Sequence, residues 1–173
     1  SSSRLEVELA KGEFDIIDIR DVLKSVMEVT KTNITKRMNV DINLKLPKNK
    51  IETLGIGDRI AQVFYNLIDN ALSFSKEGSV IDIIATTTEN EAIIEIKDQG
   101  PGIPKENLGK IFERFYTYRP EEKSFGNNSG LGLSICKQII KSLNGTIIAT
   151  NRLEGGSVFT VTLLLSKNRK RKK

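Results

Sequence analysis

Four short residue clusters between positions 66 and 133 constrain this 173-residue chain more than its composition does. Asn66-x-x-x-Asn70 lies in a segment of helical period. Asp98-Gln99-Gly100-Pro101-Gly102 follows a strand-like run. Phe112-Glu113-Arg114-Phe115 interrupts a polar, aperiodic stretch, and Gly130-Leu131-Gly132-Leu133 opens a second helical segment. Each cluster alone is weak evidence; the constraint lies in their order and spacing.

The spaces between the clusters read as regular structure. Ile19, Val22, Leu23, Val26, Met27, Val29 and Ile34 recur at helical spacing, which predicts a helix from Ile19 to about Met38. Val40 to Leu46 alternates as a strand ended by Pro47, and Ile51 to Leu54 suits a short strand. The next helix runs from Asp58 to about Phe74, with Ile60, Val63, Phe64, Leu67, Ile68, Ala71 and Leu72 as its core stripe. Val80–Thr87 and Ala92–Lys97 read as strands joined near Glu89-Asn90. Residues 99–129 are rich in Gly, Pro and charge, the profile of a functional loop. A helix from about Leu131 to Leu143 stops at Asn144-Gly145, and strands Thr146–Thr150 and Val158–Leu165 flank Gly155-Gly156. Three main helices and five or six strands suit an α+β fold, a two-layer α/β sandwich with the helices on one sheet face. Residues 1–12 read as the end of a helix that stops at Gly12.

Composition narrows the chemistry. No run of 18 apolar residues is present to span a bilayer. The single Cys136 excludes an internal disulfide and falls in an apolar helical pattern, so it reads as a buried inert thiol in a reducing compartment. With no His and one Cys, a soft-metal site is disfavoured, while a hard cation on oxygen ligands stays open. The net charge of +5 belongs to the end of the chain, where Lys167-Asn168-Arg169-Lys170-Arg171-Lys172-Lys173 carries no acid. Without those six cations, 21 basic residues stand against 22 acidic ones, a nearly neutral body. The tail reads as a solvated end or a contact for an anionic surface. It has no aromatic for base stacking, and no specific nucleic-acid partner is expected.

Each cluster has a bland and a chemical reading. Asn66, Asn70 and Ser73 share one stripe of the helix, and Asn is a poor helix-interior residue. They form either a solvated face or one on which the Asn66 and Asn70 amide oxygens are offered to Mg²⁺, which keeps few protein ligands. Asp98 with its glycines is either a turn or a buried carboxylate that accepts from the exocyclic amine of adenine, where guanine presents a carbonyl. Phe112 and Phe115 dock the base of the loop into the core. Gly126 to Ser134 is neither a P-loop nor a Rossmann fingerprint, yet paired glycines at a helix N-terminus present free N–H groups to an anion.

In this order and spacing the clusters resemble the N, G1, F and G2 boxes of the ATP-binding catalytic domain of bacterial sensor histidine kinases, in the GHKL superfamily. The resemblance covers roughly residues 14–165. It implies the Bergerat/GHKL fold, with a mixed, mostly antiparallel sheet covered on one face by about three helices and a lid at about 104–129. It implies ATP and Mg²⁺ as cofactors. Asn70 would be the main Mg²⁺ ligand, and Asn66 a phosphate or Mg²⁺ neighbour and catalytic residue. Asp98 would anchor adenine, Gly100 and Gly102 shape its pocket, and Ile103 and Phe74 cover the two ring faces. Phe115, Ser129, Gly130, Leu131, Gly132 and Leu133 would complete the ATP site, with Arg114 or Arg119 reaching the γ-phosphate.

Relatives that hydrolyse ATP, and anti-sigma serine kinases, resemble one another in a Glu at the position of Asn66. An amide cannot act as a general base, so Asn66 favours transfer to an imidazole over hydrolysis. The chain holds no histidine, so it cannot carry its own acceptor; the resemblance implies one on a separate dimerisation domain of the same kinase, with a response regulator downstream. Residues 1–13 would be the end of that domain's helix and 166–173 a basic tail. The whole protein would be a dimeric inner-membrane sensor with this domain in the cytoplasm, and the fragment a monomer. Ser73, Thr117 and Asn128 depart from the common pattern. Asn70–Ser75, Phe115–Pro120 and Phe125–Leu133 resemble the ChvG-type branch, where these departures are normal. A GHKL ATPase or serine kinase, and a non-catalytic nucleotide-binding or docking module, are the alternatives.

Overall fold

The computed structural model describes residues 14–32, 39–114, 116 and 132–169. Its first element, β1 (Asp15–Asp18), leads directly into α1 (Ile19–Thr30). Asp18 caps α1 by accepting from the Arg20 N–H at 3.1 Å, and the Arg20 guanidinium closes back on the same carboxylate. Ile19, Leu23, Val26 and Met27 are buried, whereas Val29 points outward at 46% exposure. The helical backbone continues through Lys31 and Thr32. The rest of the predicted first helix, residues 33–38, lies outside the described residues, as does the helix end read at 1–12.

Strands β2 (Asp41–Lys45), β4 (Val80–Thr87), β5 (Glu91–Lys97), β7 (Ser157–Leu164) and β6 (Thr146–Asn151) form one sheet in that spatial order. Only the β2–β4 pair is parallel, so the sheet is mixed and mostly antiparallel, as expected. Alternation decides the buried face. Ile81, Ile83 and Ala85, then Ala92, Ile94 and Ile96, then Phe159, Val161 and Leu163 all turn to one side. Against them pack α1, α2 (Gly57–Phe74) and α4 (Gly132–Ser142). The expected stripe of α2, from Ile60 to Leu72, is buried throughout, with Phe64 and Leu67 at 0% exposure. Burial of a side chain of that size contributes about 1.5–3 kcal/mol.

Three features depart from the sequence reading. The segment at 51–54 is a strand, β3 (Glu52–Gly55), but it pairs antiparallel with β1 in a separate two-stranded sheet. That ribbon raises the described strands to seven. β1 escaped notice because only four residues pair, in the burial order exposed, exposed, half-buried, half-buried, which carries no alternation. Within the long loop, Lys105–Leu108 forms a single turn, α3, and Ile111 and Phe112 are buried at its base. The basic end begins with a helical turn, α5 (Ser166–Arg169), after Leu165 bridges Thr53 and donates its N–H to Asn90 O at 3.0 Å.

Candidate functional site

The site has two ends, joined by α2. At the first, Asp98 follows β5 and extends its ladder by one pair, because its N–H donates to Ser157 O at 3.0 Å. Asp98 is 1% exposed. A buried carboxylate must be hydrogen-bonded or it costs several kcal/mol, and this one is well supplied. Oδ1 accepts from the Gly100 N–H at 2.9 Å and the Ser157 N–H at 3.2 Å, and Oδ2 accepts from the Ser157 hydroxyl at 2.6 Å. A carboxylate offers about four acceptor sites, so the described residues leave one on Oδ2 unused.

The glycines of this cluster are fixed by space as well as by turn chemistry. A Cβ on Gly100 would stand 2.8 Å from Phe74 O and 3.2 Å from Phe74 Cβ, so this position tolerates no side chain and the chain lies tight on the end of α2. Gly102 has φ +80°. Ile103 is half-buried and packs on the core. Its N–H donates to Asn151 Oδ1 at 2.8 Å, and its carbonyl accepts from Asn151 Nδ2 at 2.7 Å. Gln99 turns the other way and accepts from the Val80 N–H at 2.8 Å.

At the second end, Asn66 and Asn70 are half-buried on α2. Asn66 Nδ2 donates to Gly132 O at 3.4 Å, where α4 begins, and its amide also lies against Cys136. Burial pushes the Cys136 thiol up to about 12, with the Asn66 amide partly offsetting it; the thiol donates to Val63 O at 3.7 Å. The thiol is buried, as the sequence pattern suggested. The Asn70 side-chain amide has no hydrogen-bond partner among the described residues, whereas Ser73 Oγ donates back to Asn70 O at 2.8 Å. From Asn66 to Phe74 is eight residues, or about 12 Å along the helix axis.

The structure thus brings Phe74, Asp98 and Gly100 together at one end, and Asn66 and Gly132 at the other. Leu133 is half-buried against the core. Arg114 is exposed at the base of the loop, and Phe112 meets Phe159 edge-on at 6.0 Å and 79°. The Lys137 ammonium stands 5.6 Å from the Phe112 ring centroid. Phe115, Arg119, Ser129, Gly130 and Leu131 lie outside the described residues. Among the described residues no helix is long and apolar enough to cross a membrane, and no cluster of His, Cys, Asp and Glu suits a metal. That leaves open an amide-oxygen site such as Asn70.

Three residues of this neighbourhood were not singled out from the sequence: Ser157, Asn151 and Arg152. A signal for Ser157 existed. Pairing Lys97 with Val158 in an antiparallel ladder places Asp98 opposite Ser157. Asn151 and Arg152 act across a turn, and no local pattern marks them.

The family model for the histidine kinase-, DNA gyrase B- and HSP90-like ATPases matches residues 55–167. The sensor protein ChvG of Agrobacterium fabrum is 36% identical over 94% of this chain, and that of Rhizobium meliloti 37% over 87%. The chain spans only 29% and 27% of those two relatives. Among solved structures, a nucleotide-free form of the catalytic domain of the histidine kinase ThkA superposes with a TM-score of 0.79 at 27% identity, covering 91% of this chain and 99% of that one. With the fold, the clusters and these likenesses in agreement, the chain belongs to the histidine kinase-, DNA gyrase B- and HSP90-like ATPase family, as a catalytic domain of the sensor histidine kinase type.

Proposed function

We propose that this domain binds Mg-ATP, with adenine against Asp98, and donates the γ-phosphate to a histidine on a separate dimerisation domain, from which a response regulator is served. The carrying observation is the Asp98 carboxylate. It is buried, oriented by three donors, and has one acceptor site on Oδ2 that the described residues leave unused. The exocyclic amine of adenine supplies the missing donor and guanine does not. One hydrogen bond to a charged group, roughly 1.5–3 kcal/mol, separates the two bases by about ten- to a hundredfold.

At the other end, the Asn70 amide, without a partner among the described residues, fits a hard cation that takes its remaining ligands from phosphate and water. Asn70 would hold Mg²⁺ with Asn66 beside it. When bound, the ion neutralises charge on the phosphates. Asn66 fixes the start of α4 through Gly132 and so aims that helix's N-terminal end, with its positive dipole, at the anion. Neither amide takes a proton from water, which supports transfer to an imidazole over hydrolysis. The 173 residues contain no histidine, so the phosphate leaves this chain. Membrane anchorage and dimerisation belong, in this reading, to the parts of the whole protein outside the segment shared with the ChvG proteins.

Titration calorimetry of a non-hydrolysable ATP analogue with Mg²⁺, against the GTP analogue and with Asp98→Asn, tests the binding step. Adenine-selective binding lost in the variant is expected. A folded sample without binding refutes it and favours a non-catalytic module. Phosphate transfer to a supplied His-bearing partner domain tests the second step; phosphate release from the isolated domain would favour an ATPase.

A further inference from the structure

We infer that Asn151 and Arg152, at the end of β6, are positioning residues for adenine recognition. They hold the two ends of the segment Asp98–Ile103 at a fixed separation. The inference rests on the adenine reading of Asp98.

At one end, the Arg152 guanidinium donates to Asp98 O at 2.9 Å, while its other nitrogen pairs with Glu154 at 2.9 Å. At the other end, Asn151 mimics a strand partner and pairs with both the N–H and the carbonyl of Ile103. Between them the chain passes Gly100 and turns at Gly102, whose Cβ would meet Asn151 Oδ1 at 3.0 Å. The β6–β7 turn is itself fixed against the same segment. Arg152 N–H donates to Gly156 O at 2.9 Å, and a Cβ on Gly156, at φ +101°, would come within 2.0 Å of Asp98 O. Backbone without such ties moves freely, because a glycine-rich segment has much conformational entropy to lose. The turn therefore sets where the Asp98 carboxylate stands relative to the Ile103 side chain, that is, where the amine acceptor stands relative to the ring face. Neither Asn151 nor Arg152 needs to touch nucleotide.

A residue that only stabilises the fold would weaken every nucleotide alike, or none. A residue that positions the acceptor changes the discrimination between bases. The experiment measures calorimetric affinities of a non-hydrolysable ATP analogue and the matching inosine analogue, which has a carbonyl in place of the exocyclic amine. The proteins are wild type, Asn151→Ala, Arg152→Met and Arg152→Lys, each first checked for a cooperative thermal transition. Asn151→Ala and Arg152→Met are expected to lower the adenine-over-hypoxanthine preference roughly three- to tenfold, with little change for the inosine analogue. Arg152→Lys, which keeps a donor for Asp98 O, restores most of it. If Asn151→Ala does not fold, Arg152→Met reads the same segment from its other end. A preference unchanged in folded variants overturns this inference and leaves the adenine reading standing. A wild type that binds neither analogue, or both equally, overturns the adenine reading and this inference with it.

Discussion

Ser157→Ala tests the buried network directly, without reference to any ligand. The substitution deletes one atom, Oγ, which makes the 2.6 Å bond to Asp98 Oδ2. Oδ2 has no other donor among the described residues, while Oδ1 keeps the Gly100 and Ser157 N–H groups. Asp98 is 1% and Ser157 4% exposed, so bulk water does not simply take the hydroxyl's place. The void left is smaller than a methyl group, and the loss is therefore the hydrogen bond itself. A bond to a charged group contributes roughly 1.5–3 kcal/mol, and a water that slips in would bring the loss towards the lower figure. For a domain of this length that lowers the thermal midpoint by roughly 3–12 °C. Urea unfolding gives the free energy, with an unchanged slope expected because the surface exposed on unfolding is the same. Ser157→Thr keeps the hydroxyl and, as a β-branched residue on a strand, should lie close to wild type. A loss below about 0.5 kcal/mol for Ser157→Ala, the size of an ordinary surface change, would mean that the hydroxyl does not hold Asp98. An equal loss for Ser157→Thr would mean that the volume of the side chain, not its hydroxyl, matters.

Three further outcomes follow from single environments. Burial alone would raise the Asp18 carboxyl, but the Arg20 guanidinium and the N–H groups of Ile51 and Arg20 outweigh it and hold Asp18 below its ordinary value of 3.8. A carboxyl depressed on folding contributes stability that is present above its unfolded value and lost as pH falls towards the folded one. Urea midpoints of Asp18→Asn and wild type should therefore differ at pH 7 and converge below about pH 4; a gap constant with pH would refute this. Cys136, pushed up to about 12 by burial, should resist a thiol reagent at pH 8 in the native state and react within seconds in urea; rapid native labelling would contradict its burial. Gly156→Ala places a methyl against the Asp98 carbonyl at positive φ, so it should destabilise by about 3 kcal/mol or more, read as loss of soluble protein or a large fall in urea midpoint.

Why some of this was legible in the sequence and some was not comes down to the range of the forces involved. α2 and the strands β4 and β5 were readable because their signal is local and repeated. Ile60 to Leu72 fall on one helical stripe, and Ile81 to Ala85 alternate, so each element announces its buried face within a few residues. β1 failed that test, since Asp15–Asp18 is a strand only because β3 pairs with it. The clusters were readable for a different reason. Asn66 and Asn70 on a helix and a run of glycines after Asp98 violate local propensity, and such violations need a compensating cause. The compensation was not readable, because it is long-range: Ser157 lies 59 residues from Asp98, and Asn151 lies 48 residues from Ile103. A sequence thus displays the buried carboxylate while concealing the groups that hydrogen-bond it and its neighbours. Tertiary hydrogen bonds such as Arg152 to the Asp98 carbonyl satisfy one backbone oxygen, impose no period and leave a commonplace Asn-Arg pair in the text. Here antiparallel register narrows the gap. Once β5 and β7 are aligned through Lys97 and Val158, Ser157 must face Asp98, and the turn that precedes it must lie beside the segment that follows.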